Sequence, residues 1–495
     1  MGCYNGEESP AEPSTSRVLC SLGFRAKPLT ASSESEPHHL PHRCPAVTDL
    51  FAPHREAVSG ALNGWLGMGN DHHIDTYAPP GGVNREDRLS NVLVVGRPLL
   101  ATAMLQTFAI EDILDGKSVV WIATDSSART LLRYIPGDRV NDVIFFSPGS
   151  REDRRRPTAW NLLKDTPPDK RYDVAEGITA AFGSVYKEFW GPQSAMLLRS
   201  AAQAILDLGG STLLGCLEML SNDAYRQQVR RRIKDQGVRG WWDAFERWPH
   251  QQKQGAIAPL QNKLGTLRSS WPMRNILCQM RNKLEVDDVF RGQMLIVELK
   301  RAHLGSREAV RLFGSLLLHD LMRAGFQRGV RGAPECFVYL NNAAAFAPDV
   351  IEEFVVGDES PFTVGLATAY LDRLEPTLEL ALLSACGTMI ASRSSYADAQ
   401  TFFKHFGQLR MKEREFADLG WNDLAVKPWV GRPFWSTFTR FPQEQFAEYG
   451  KAPAIIARSL DRYGTPRAKV ERKLSAWRRH LADASPSLAP RRGKR

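Results

Sequence analysis

The apolar run Asn91-Val92-Leu93-Val94-Val95 ends in Gly96 and is followed by the helix-forming stretch Ala101–Phe108. A buried strand that passes through glycine into a helix is the setting in which backbone N–H groups hold phosphate. Laid on Gly96, the phosphate-loop pattern G-x-x-x-x-G-K-[ST] puts Ala101 at the second glycine, Thr102 at the lysine and Ala103 at the magnesium-binding hydroxyl. The setting is there without its cation or its metal ligand. A second group is basic. Arg467, Lys469, Arg472, Lys473, Arg478, Arg479, Arg491, Arg492, Lys494 and Arg495 stand against only Glu471 and Asp483 in the last 29 residues, so nearly all of the net charge of +9 sits there. That concentration is the footprint of a polyanion, nucleic acid before membrane, because no apolar face or lipid anchor accompanies it. The same cations would also serve a tail that only aids solubility. A third group, His38, His39, His42 and Cys44, has metal-ligating side chains, but Pro37 and Pro41 stiffen it and no second Cys/His pair lies nearby. A linker is the better reading there, and no metal site is expected.

The elements that must position these residues follow from periodicity. Gly116–Ala123 and Asp142–Phe146 read as second and third buried strands after Asn91–Gly96, and the alternation of strand and helix predicts βαβ units of a parallel sheet. Strands then stop. Tyr172–Val185, Gln193–Leu208, Asp223–Arg232 and Trp241–Trp248 have helical spacing. Within this stretch Arg226, Arg230, Arg231, Arg232, Lys234 and Arg239 read as the solvated face of a helix. Trp241, Trp242, Phe245 and Trp248 read as the core of a helical module rather than a platform for stacked bases. Strands resume at Met294–Glu298, Cys336–Leu340, Phe362–Ala367 and Gly387–Ala391, with a helix at Arg307–Ala324. The expected organisation is a mostly disordered segment 1–85, the first part of an α/β core at 86–164, an all-helical insertion at 165–285, the second part of the core at 286–440, and a C-terminal helix with the basic tail at 441–495.

At 495 residues, with 43% hydrophobic and 24% charged residues, the chain is long enough for a large core and unlike a chain disordered throughout. No apolar run approaches the ~18 residues of a membrane span, and Glu7, Glu8 and Glu12 replace the basic patch of a secretion signal. Seven scattered cysteines, none at C-x-x-C spacing, suit free thiols in a reducing cytoplasm.

Several stretches, taken together and in order, carry a resemblance. They are Leu131–Pro136, Arg139–Pro148, Asn161-Leu162-Leu163, Trp190-Gly191-Pro192 through Leu197–Ala201, Ile257–Gly265 and Ala309–Leu317. Over roughly residues 90 to 410 the chain resembles the RecA-like ATPase domain of type IV secretion coupling proteins and HerA/FtsK-type DNA pumps. The resemblance implies an α/β fold, a RecA-like parallel-sheet P-loop NTPase core with an inserted all-helical domain. It also implies where catalysis should sit. The Walker B Asp-Glu pair falls on Asn341 and Asn342, the phosphate-sensing Gln on Ala369, and the nearby arginine on Arg393, while Gly96 is left as a vestige of the phosphate loop. Phosphoryl transfer needs positioning and charge neutralisation, and Thr102, Ala103, Asn341, Asn342 and Ala369 together supply little of either. The expectation is a catalytically inactive pseudo-ATPase with no cofactor, a cytoplasmic subunit that binds nucleic acid (DNA before RNA) or a partner, in a homo-oligomer or a mixed ring with an active relative. The alternatives are an active ATP-dependent translocase with unusual ligands and a decayed, non-functional homologue.

Overall fold

The computed structural model describes residues 83–164, 166–209, 211–328, 335–356, 362–407, 409, 411–437 and 442–484. His38, His39, His42, Cys44, Arg491, Arg492, Lys494 and Arg495 lie outside them, and the described residues all belong to one compact unit. At its centre is a nine-stranded sheet: β1 (Val92–Val95), β2 (Ser118–Ala123), β3 (Val143–Phe146), β4 (Met294–Glu298), β5 (Cys336–Asn341), β6 (Phe362–Thr368), β7 (Thr388–Ala391), β8 (Asp423–Lys427) and β9 (Phe434–Thr437). The spatial order is β3-β4-β2-β5-β6-β1-β7-β8-β9. The first seven positions pair in parallel, and β8 and β9 close one edge as an antiparallel hairpin that the apolar pattern had not marked.

Every residue of β1, β2, β3, β4, β5 and β7 is buried, because helices cover both faces of the sheet. Alternate side chains enter two separate cores, as the two-residue repeat of a strand requires. Leu93, Val95, Val120 and Ile122 join one, and Val92, Val94, Val119 and Trp121 the other. The first of these cores continues without a break into the helical segment between β3 and β4, whose helices run from Arg171 to Leu277. There Trp242 and Phe245 are fully buried, and Trp241 and Trp248 pack their rings against Phe245. Arg226, far from being a solvated cation, is buried and paired with Glu246 at 2.7 Å, with Asp223 as a second partner; Arg230 pairs with Asp243.

The C-terminal cations divide. Arg467, Lys469, Arg472, Lys473, Arg478 and Arg479 belong to the helix Arg467–Ala484. Val470 and Leu474 are buried and Trp477 packs beside them, a seam with helical spacing that docks this helix on the body.

Candidate functional site

Parallel strands present their C-terminal ends along one edge, which is where open α/β sheets bind ligands. The register brings Glu298, Ala123, Asn341, Ala367 and Val94 into one row across β4, β2, β5, β6 and β1. Gly96 follows β1, Asn341 ends β5, and Ala369 follows β6, which lies between them. Four of the residues picked out in the sequence, Gly96, Thr102, Asn341 and Ala369, therefore share one edge, with Arg393 just beyond β7.

The turn after β1 is short. β1 ends at Val95 and the helix Pro98–Leu114 begins three residues later, so the position of the second loop glycine, Ala101, is already in its first turn. Proline favours this first helical position because its missing N–H would have no partner there. Gly96 has φ +125°, and a Cβ on it would collide with Ser392. Its N–H donates to the Thr368 carbonyl at 3.0 Å, the Arg97 N–H donates to Ser392 Oγ at 3.0 Å, and Pro98 has none.

Asn341 is the centre of a hydrogen-bond network. Its Oδ1 accepts from Thr102 Oγ1 at 3.1 Å, and its Nδ2 donates to Asp125 Oδ2 and Ser127 Oγ, each at 3.1 Å. The loop after β2 supplies both partners, and Asp125 also accepts from the Ser127 backbone and hydroxyl. Asn342 adopts the left-handed region, φ +65°, which asparagine tolerates better than most residues, and donates to Thr124 Oγ1. Ala103 is buried in the helix. The Ala369 carbonyl accepts from Ser394 Oγ. Arg393 is exposed on this chain's own turn: burial, and after it the charge of Arg393, pulls Arg97 below the usual guanidinium range.

Two buried carboxylates sit near this edge, Asp398 beyond β7, which accepts from Ser394, and Glu298 at the end of β4. Glu298 accepts from Ser147 Oγ at 2.7 Å and pairs with Arg129 and Lys300, both at 3.0 Å. Burial works against its charge, but Ser147, Lys300 and Arg129 together hold its carboxyl below the usual range. It is four strand spacings from β1, about 19 Å at ~4.8 Å per strand. Asp125, Ser127, Ser392 and Glu298 were not picked out in the sequence. Asp125-Ser126-Ser127 at the end of an apolar run is a helix-entry pattern that could have marked the first two.

No protein-family model matches the sequence, and no curated protein matches it. Solved structures do. The plasmid coupling protein TrwB in complex with ADP and Mg2+ superposes with a TM-score of 0.55 at 13% identity, covering 78% of this chain and 92% of that one. The fold is RecA-like. TrwB with a non-hydrolysable ATP analogue matches at a TM-score of 0.56 and 12% identity, with 78% and 92% covered. VirB4 of Thermoanaerobacter pseudethanolicus matches at 0.52 and 10%, with 77% and 99% covered. Among the described residues no helix is long and apolar enough to cross a membrane.

Proposed function

We propose that this chain is a catalytically inactive relative of the conjugative coupling ATPases, a subunit that contributes nucleic-acid or partner binding to an assembly. The observation that carries this reading is the direct hydrogen bond between Thr102 and Asn341. In a working site of this fold the two positions hold a phosphate-binding lysine and a magnesium-shell carboxylate, with a nucleotide between them. Here they are neutral and satisfy each other. In the turn before them the Gly96 and Arg97 N–H groups are already used and Pro98 lacks one, which leaves a phosphate only the first-turn N–H groups of Leu99 and Leu100. These residues do not fit a magnesium nucleotide. An active enzyme would have to recruit a carboxylate that is already committed: Asp125 is occupied by Ser127 and Asn341, Glu298 is neutralised and remote, and Asp398 accepts from Ser394 and the Leu371 and Asp372 N–H groups. Calorimetric titration of the full chain with ATP and magnesium tests the reading. No saturable heat is expected, and a dissociation constant in the micromolar range would overturn it.

A further inference from the structure

Behind the docked C-terminal helix lies a cleft of about 220 Å³, separate from the strand edge that carries Gly96 and Asn341. Five cations from three separate segments converge on it: Arg156 from the loop after β3, Arg281 and Lys283 from the segment after the helix Trp271–Leu277, and Lys469 and Lys473 from the helix Arg467–Ala484. Among the described residues no carboxylate lines it. Arg156 pairs with Asp461 at 2.9 Å and Lys283 donates to the Gly464 carbonyl at 2.6 Å, whereas Arg281, Lys469 and Lys473 form no ion pair with any described residue. Burial, and then the charges of Arg156, Arg281 and Lys469, lower the Lys283 pKa, as expected of an ammonium crowded by like charge. The helix adds to the imbalance. Its N-terminus, the positive end of its dipole, opens on the cleft and has no acidic residue in its first turn. Like charges gathered in a concave site repel unless an anion occupies it.

The floor is of a different kind. Leu214, Leu474 and Trp477 supply apolar surface under the cationic rim, with Trp477 only partly covered by its edge contact with Tyr225. An apolar, aromatic floor beneath a basic rim suits an unpaired base on the floor with its phosphates at the rim. A duplex, whose bases are paired and stacked and face only its grooves, could not lay a base on the floor of such a cleft. We propose that this cleft binds single-stranded nucleic acid, seating one unpaired nucleotide with its base against Trp477 and its flanking phosphates on Arg281, Lys469 and Lys473. The inference rests on the nucleic-acid half of the proposed function and makes it specific.

The test uses the full chain and a fluorescently labelled (dT)12 oligonucleotide, followed by anisotropy across a salt series. The double variant Arg281→Glu/Lys473→Glu changes two exposed rim residues, and the control Arg247→Glu/Lys404→Glu changes two exposed residues elsewhere on the chain that do not line the cleft. Thermal unfolding verifies that both fold. The rim variant should bind at least tenfold more weakly and flatten the logarithmic salt dependence by about 0.7 for each phosphate it no longer neutralises. The control should stay within about twofold, since those charges contribute only long-range attraction screened by salt. A competing abasic strand of the same length should be at least tenfold weaker than (dT)12, since it has no base to stack on Trp477. If the two variants weaken binding equally, or the abasic strand competes as well as (dT)12, the cleft is not the seat, while nucleic-acid binding by the chain stands. If the wild type binds neither (dT)12 nor the matching duplex, both this inference and the nucleic-acid half of the proposed function fail.

Discussion

Thr102 shows why replacing one residue would not restore a nucleotide site. A lysine there would gain a cation, and its ammonium could donate to Asn341 Oδ1 in place of the threonine hydroxyl. The remaining requirements concern neighbours. Ala103 has no hydroxyl for a metal, Asn341 and Asn342 bring no negative charge, and Ala369 cannot report on a terminal phosphate. Thr102→Lys should therefore release no phosphate from ATP above the wild-type baseline in a continuous phosphate assay. Turnover by that single variant would restore the active-enzyme reading. Asn341→Asp should fail differently. It would place a carboxylate against Asp125, 3.1 Å from the present amide nitrogen, replacing a donated hydrogen bond by repulsion between two anions. A loss of about 1–3 kcal/mol in unfolding free energy is expected for a polar group left mismatched in this way, and urea denaturation would measure it.

Elements are held together by a second, wholly structural network on the far side of the helix Pro98–Leu114. Arg88, from the helix Arg85–Leu89, pairs with Asp112 at 3.0 Å and reaches Glu111 at 3.6 Å, while the Tyr339 hydroxyl of β5 donates to Asp112. Glu111 is the weak member: its Oε1 has no partner among the described residues, and burial pushes its carboxyl up to about 8 although Arg88 opposes the shift. A raised carboxyl pKa means that the folded protein binds the proton more tightly than the unfolded chain. Its stabilising contribution is full below the ordinary value of 4.5 and is lost as pH rises through 8. Wild-type urea midpoints should accordingly fall between pH 5 and pH 9 more steeply than those of Glu111→Gln, which keeps the neutral form throughout. Equal slopes would mean that Arg88 holds Glu111 ionised.

The same elements show what could be read from residues alone. Seven strands were legible because burial on both faces makes each a continuous apolar run, and the helix Arg307–Arg328 was legible from its period. Asp423–Lys427 and Phe434–Thr437 were not, since polar residues interrupt both: Asp423 and Lys427 bound three apolar residues in the first, and Ser436 and Thr437 follow two in the second. The start of the helix at Pro98 was also hidden, because proline next to a turn signals a break as readily as a first helical position. At the candidate site the residue types were legible. That Asn341 would be saturated by Thr102, Asp125 and Ser127 was not, because it depends on the register between β2 and β5 and on the shortness of one turn, both set by packing far along the chain.

For the molecule as a whole, the surface above the vestigial turn argues for a neighbour. Leu99 is 67% exposed and Trp421 78% exposed, and the Arg97 guanidinium lies 3.4 Å from the Trp421 ring centroid. Arg393 lies close enough to add a second cation beside Arg97. An aromatic ring with a stacked arginine, an exposed leucine and a neighbouring cation have the composition of an interface hot spot, and isolating them in water leaves their binding capacity unused. On the proposed reading this edge holds no nucleotide and is still on offer, either to a second copy or to an active relative. Sedimentation velocity of the full chain, alone and mixed with an active relative from the same cell, should show association in at least one case. Leu99→Ala/Trp421→Ala should weaken it at least tenfold, in keeping with hot-spot losses of ~2 kcal/mol or more. Arg393→Ala should leave a mixed complex intact yet abolish any change that this chain makes to its partner's ATPase rate, an effect that an arginine acting at a neighbouring site can bring to about 10³-fold. A chain that sediments as a monomer in both experiments and leaves the relative's turnover unchanged has no place in a ring, and the proposed nucleic-acid cleft would then have to act alone.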